Sequence, residues 1–142
     1  MKSLFSFLLM GLLLAISSCN AQSASKEASN SSSPSDRIEV YYFHFDARCT
    51  TCRTVEAETK KHVETLYPEM YKDGRILFIL ENLDEESGKK VAEKLGISGQ
   101  TVLIVKGSTK INLTNEAFMY AVVKPEKYRE LFRSKIDELA GI

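Results

Sequence analysis

Cys49-Thr50-Thr51-Cys52 places two thiols three residues apart, between an apolar run and a charged segment. The apolar run is Ile38 to Phe45, and the charged segment, Arg53 to Leu66, reads as a helix. The first turn of a helix presents free backbone N–H groups and the positive end of the helix dipole. Both favour a thiolate over a thiol, and the thiolate is the nucleophile. Arg48 and Arg53 flank the pair and are expected to act in the same sense. The spacing lets one helical turn carry the second sulfur back towards the first. A reversible Cys49–Cys52 disulfide is the chemistry this stretch suits, with Cys49 as nucleophile and Cys52 resolving. Three other readings stand beside it: a ligand pair for a soft metal or metalloid, an inert structural bridge, and a binding adaptor in which the cysteines are incidental. A strand before and a helix after the pair favour the redox reading over a bare C-x-x-C.

The neighbours of the pair offer further groups. The hydroxyls of Thr50 and Thr51 could donate to a sulfur. His44, on the strand leading to Cys49, is a candidate third ligand for a soft metal or a base for Cys52. Strand alternation favours a buried structural histidine turned away from the sulfurs. Asp46 is expected to cap the turn rather than relay a proton. His62, in mid-helix among charges, is expected to be exposed, and the helical spacing of Met119 and Tyr120 points to the core.

A fold must hold the pair. Ile38 to Phe45 is β-branched, aromatic and nearly all apolar, as in a central strand buried on both faces. Cys52 to Leu66 follows as a helix with Val55, Thr59, Val63 and Leu66 on one stripe. Pro68 and Asp73-Gly74 mark its exit. Ile76 to Leu80 is a second buried strand. Asp84 is the expected N-cap of a helix running to Leu95, with Val91, Ala92 and Leu95 inward and Gly96 at its C-terminal cap. Thr101 to Val105 and Lys110 to Leu113 form a hairpin around Lys106-Gly107-Ser108. Thr114 is read as the cap of a short helical segment, and Pro125 as the start of the last helix. The inward stripe of that helix is Tyr128, Leu131, Phe132, Lys135, Ile136 and Leu139, and Gly141 ends it. The order β-α-β-α-β-β-α predicts a four-stranded mixed sheet with helices on both faces. The first strand lies between the second and third. Cys49 then sits at the carboxyl end of a central strand, where open α/β sheets place their sites.

The chain has 142 residues, enough for one domain, and Lys plus Arg equals Asp plus Glu at 19 each. No basic excess favours nucleic acid. Three cysteines do not make a disulfide-stapled miniprotein. Lys2 and the apolar run Leu4 to Ile16 have the pattern of a signal peptide, over residues 1–18. Ile16-Ser17-Ser18-Cys19 resembles a bacterial lipobox, which implies cleavage before Cys19 and its lipidation. Several acyl chains would hold the chain firmly on a bilayer. Residues 19–36 read as a Ser-rich tether spanning roughly 20–25 Å on average, with the folded domain at residues 37–142. The expected location is the bacterial cell envelope, outside the cytoplasm and periplasmic.

Over Arg37 to Ile142 the chain resembles the thioredoxin-like superfamily. The resemblance rests on the strand–Cys49-x-x-Cys52–helix unit and on Gly96-Ile97-Ser98-Gly99 before the third strand. Cys49 to Lys61, Ser98-Gly99-Gln100-Thr101, and Leu113-Thr114-Asn115 with Ala117-Phe118-Met119-Tyr120 are similar to a family of Bacteroidetes-type lipoproteins. That family is labelled the ArsF-type subunit of a nitrophenyl-compound nitroreductase, which implies an arsenical permease as partner. Three departures from ordinary thioredoxins stand out. Thr101 occupies the slot of the usual cis-proline, and a cis peptide before a non-proline costs about 2.5–4 kcal/mol, so the Gln100–Thr101 bond is expected to be trans. Phe43 replaces the buried acid six residues before the first cysteine. Thr50-Thr51 replaces Gly-Pro. No flavin or nicotinamide motif is present and no cofactor is expected, so a membrane electron donor of the DsbD/CcdA kind is the anticipated source of reducing equivalents.

Overall fold

β-Branched and aromatic side chains carry Ile38–His44 (β1) through the middle of a sheet, buried along most of its length. The chain continues through Thr50–Leu66 (α1), Pro68–Lys72 (α2), Ile76–Asn82 (β2), Glu86–Leu95 (α3), Thr101–Lys106 (β3), Thr109–Asn112 (β4), Thr114–Tyr120 (α4) and Pro125–Ala140 (α5). These elements come from a computed structural model that describes residues 36–142. The signal segment, Cys19 and all of the tether but Asp36 lie outside the described residues. No helix among the described residues is long and apolar enough to cross a membrane.

The sheet is four-stranded and mixed, in the order β2-β1-β3-β4. β1 and β2 are parallel, in register from Ile38 opposite Ile76 to His44 opposite Asn82. β3 runs antiparallel to β1 with Thr101 opposite Phe43, and β4 returns along β3. Alternation along β1 divides the interior. Ile38, Val40 and Tyr42 join Val55 and Val63 of α1, Ala117 of α4, and Tyr128, Phe132 and Ile136 of α5 in the larger core. Phe43 joins Leu103, Val105, Leu83 and Ala92 of α3 in a smaller one. Helices therefore cover both faces, and both caps expected of glycine are present: Gly96 and Gly141 close α3 and α5 with φ of 75° and 76°.

Several expectations are corrected. β2 is at the edge, as the expected strand order has it, but it is not buried throughout: Leu80 is 46% exposed. α1 begins two residues earlier than its apolar stripe suggested, at Thr50. Asp84 does not cap α3. Glu85 holds that position without a side-chain bond. The Asp84 carboxylate instead accepts from the Asp46 backbone N–H at 2.7 Å, so a neighbouring loop has taken the group the helix would have used. Thr114 is the first residue of α4 rather than its cap, and its Oγ1 accepts from the Val102 N–H at 3.1 Å. Met119 is 57% exposed, whereas Ala117 and Ala121 are buried in the core and Phe118 and Tyr120 pack partly buried against it. His62 is buried at 2% exposure. It lies seven residues after Val55, at the border of the helical stripe, and α5 packs over it with Tyr128 and Phe132 rings at 5.1 and 5.6 Å.

One close approach fixes the helix on the smaller core. A Cβ added at Gly88 would overlap the carbonyl of Asn82, so α3 sits directly against the end of β2. The loops after β1 and β2 are tied at that same end. Asn82 Nδ2 donates to Asp46 Oδ1 at 2.8 Å, and the Leu83 N–H donates to the His44 carbonyl at 2.7 Å. The turn that leads to Cys49 is thereby anchored to its neighbour.

Candidate functional site

Cys49 is the N-cap of α1, with extended backbone at φ −75° and ψ 169°. Its sulfur takes the place of the usual serine or aspartate oxygen and accepts from the Cys52 backbone N–H at 3.3 Å. The first turn of α1 contains no acidic residue, so nothing opposes the helix dipole there. Cys49 is exposed and Cys52 buried, and both are free thiols. The Cys49 thiol is held below its ordinary range. The hydrogen bond from the Cys52 side chain is the main cause, and the Cys52 backbone N–H comes next. Slight desolvation opposes them, and the backbone N–H groups of Thr51 and Cys49 add smaller contributions. Each of these donors favours a charged sulfur.

Cys52 is enclosed by two residues that sequence reasoning did not single out. The Tyr42 hydroxyl, fully buried on β1, donates to the Cys52 carbonyl at 2.8 Å. Gln100 Nε2 donates to that hydroxyl at 3.2 Å, and Gln100 Oε1 lies 3.5 Å from Cys52 Sγ. The Tyr42 phenol is pushed well above its ordinary range, first by burial and then by the charges of Cys52 and Glu56. Tyr42 carried one legible signal: a phenol in an apolar strand needs a partner for its hydroxyl. Gln100 carried only its place, immediately before β3.

The remaining candidates divide. Arg48 lies beside Cys49, but its guanidinium is paired with Glu56 of α1. Arg53 is exposed on α1. Neither arginine is among the leading causes of the Cys49 shift. Thr51 acts on Cys49 through its backbone, and Thr50 contributes its carbonyl to Thr54 Oγ1. Thr101 is buried, and its hydroxyl donates to the Gly99 carbonyl at 2.9 Å. His44 is buried on the same sheet face as Tyr42, and its Nδ1–H donates to the Phe45 carbonyl at 3.1 Å. It is not gathered with Cys49 and Cys52 into a ligand set: among the described residues no group of three His, Cys, Asp or Glu is arranged to hold a metal ion. Asp46 joins the loop network described above. Phe43 sits in the smaller core and brings no carboxylate to the pair.

A cleft of about 310 Å³ opens between the end of β1 and the loop before β3. Phe45, Leu83, Ala92 and Ile97 give it an apolar floor, with Lys89 and Glu93 at its rim. The loops that frame it are the ones that carry Cys49 and Gln100.

No protein-family model and no curated protein matches the chain. Among solved structures, a chain described as a malarial protein is similar at 18% identity and a TM-score of 0.39, over 58% of this chain and 93% of that one.

Proposed function

We propose that the chain is a membrane-tethered thiol–disulfide oxidoreductase with a thioredoxin-like domain. One observation carries the reading: an exposed cysteine caps the first helix after the central strand, with its sulfur hydrogen-bonded to the backbone of a buried cysteine one turn on. The sheet order β2-β1-β3-β4, with β1 and β2 parallel and β3 antiparallel to both β1 and β4, supports the thioredoxin-like assignment. The Cys49 thiolate attacks a substrate disulfide, a Cys49–substrate bond forms, and the first substrate sulfur leaves with the electron pair. Cys52 then attacks Cys49, and the second substrate sulfur leaves with the proton Cys52 gives up. The substrate gains two electrons and the chain is left as a disulfide. A membrane dithiol donor of the DsbD/CcdA kind would restore it. The lipidated Cys19, the envelope location and a role as the redox subunit of an ArsF-type arsenical or nitroaromatic system belong to the same proposal.

The test is a disulfide-reduction assay on the full chain. Cys49→Ser is expected to abolish exchange, and Cys52→Ser to trap a mixed disulfide with the substrate. Wild-type rates in both variants would sink the reading. A second reading rests on the nearness of two free thiols: a dithiol site that binds trivalent arsenicals for a permease. Equilibrium dialysis of the reduced chain decides it, and no bound arsenical removes it.

A further inference from the structure

We propose that Gln100 sets the redox equilibrium of the Cys49–Cys52 pair, through a hydrogen bond from the Cys52 thiol that the disulfide cannot make. The inference rests on the thiol–disulfide reading above and adds to it the residue that tunes the pair.

The orientation of the Gln100 amide follows from its partners. A carbonyl only accepts, so the Tyr42 hydroxyl must spend its single proton on that of Cys52, at 2.8 Å. Its oxygen can then only accept from Gln100, so the end of the amide 3.2 Å away is Nε2. A flipped amide would set two acceptors against each other. Oε1 is thereby aimed at Cys52 Sγ, at 3.5 Å. Tyr42 is fully buried and cannot swing aside, so the three groups form a closed ring: phenol to carbonyl, amide to phenol, thiol to amide.

An amide oxygen accepts a hydrogen bond and does nothing else. The Cys52 thiol has one proton: with Cys49 ionised it turns to the Cys49 sulfur, and with both cysteines protonated it goes to Gln100 Oε1. A disulfide sulfur has no proton to offer it. When Cys52 attacks the mixed disulfide, its S–H bond breaks, the Cys49–Cys52 bond forms and the substrate sulfur departs with the proton. Gln100 Oε1 then loses its donor while Tyr42 still holds the amide in place. The dithiol state keeps a contact that the disulfide state lacks, so the ring favours the reduced chain and makes the pair a stronger oxidant. A typical net hydrogen bond, roughly 1 kcal/mol, corresponds to about a fivefold change in an equilibrium constant.

The test is the equilibrium constant of the full chain against glutathione, read by alkylation and mass. Gln100→Leu keeps a side chain of similar reach and removes both polar ends. It is expected to shift the equilibrium about fivefold towards the disulfide. Gln100→Glu keeps an acceptor towards Cys52 Sγ, with the Tyr42 hydroxyl turning its proton from the Cys52 carbonyl to the second carboxylate oxygen, and is expected to hold the equilibrium at or beyond the wild-type position, towards the dithiol. Tyr42→Phe frees the amide and is expected to move the constant as Gln100→Leu does, by less. A merely structural role for Gln100 would shift both position-100 variants alike, and that result overturns the inference. So does an unchanged constant in Gln100→Leu when the wild type exchanges normally. A wild type that never exchanges with glutathione overturns the underlying reading and takes the inference with it.

Discussion

Two titratable side chains associated with α1 are shifted in the same direction by opposite causes. Cys49, at the open end, is lowered because donors surround its charged form, led by the Cys52 side chain. His62, three turns on, is lowered to about 4 because burial penalises its charged form, with Glu58 only partly opposing. The end of the helix offers unsatisfied N–H groups and water. Its middle offers the rings of Tyr128 and Phe132. The first shift favours a reactive anion. The second keeps an imidazole uncharged at neutral pH. A displaced pKa is therefore no signature of chemistry until its cause is known, and only the cause at Cys49 points towards a substrate.

The sharpest separation of the two regions comes from one substitution in each. Phe132→Ala empties part of the core beneath His62 and is expected to cost about 3–5 kcal/mol in stability. Disulfide exchange per folded molecule should stay near wild type. Cys49→Ser should do the reverse. Serine is a good N-cap, so urea unfolding should move by less than about 0.5 kcal/mol while exchange disappears. Strong destabilisation by Cys49→Ser would show that the open end is also a structural keystone, and the contrast would collapse.

The next effect is a pH dependence confined to the middle of the helix. Unfolded His62 takes up a proton near its ordinary value of about 6.5, whereas in the fold it resists to about 4. Between those values the unfolded state binds more protons, so stability falls as pH drops through that window and is flat above it. His62→Leu should remove this component, and the difference between the two denaturation profiles isolates it from other groups. Parallel profiles for wild type and His62→Leu from pH 7 to 4 would mean that burial does not hold the ring neutral.

At the open end the corresponding measurement is the pH at which alkylation of Cys49 reaches half its maximum. Cys52→Ala deletes the leading donor and leaves the backbone N–H in place, so the midpoint should rise towards that of an ordinary thiol, about 8.5. An unmoved midpoint would assign the shift to the helix end alone.

How far these regions can be read from sequence differs for physical reasons. The strands β1 and β3 are legible because β-branched and aromatic residues crowd them, and the place of Cys49 at the end of β1 follows. The exposure of Leu80 on β2 is not, since Ile76 to Leu80 is as apolar as a central strand. The burial of His62 escapes the pattern because the aliphatic stripe of α1 is narrower than the face that α5 covers. The place of Asp84 escapes it because its carboxylate has two suitors, and the Asp46 N–H, 38 residues away in sequence, takes it. Tyr42 and Gln100 meet across a separation of 58 residues, which no local pattern encodes. The arginines beside Cys49 are legible as charges, but the pairing of Arg48 with Glu56, eight residues on, is not.

That last pairing allows the smallest test. The Arg48–Glu56 ion pair is about one-quarter exposed on each side, so part of its attraction is screened by water. Glu56→Gln should change stability by no more than about 1 kcal/mol. It leaves the guanidinium beside Cys49 without its counter-charge, and a free positive charge favours the thiolate. The alkylation midpoint of Cys49 should then fall slightly, and the rate at pH 7 should rise by less than about threefold. Arg48→Ala leaves the Glu56 carboxylate without its counter-charge and should raise the midpoint slightly. A fall in rate for both variants would give the pair a different role. Arg48 would then be holding the loop before Cys49 against α1, and the open end of the helix would owe its geometry, rather than its charge, to that bridge.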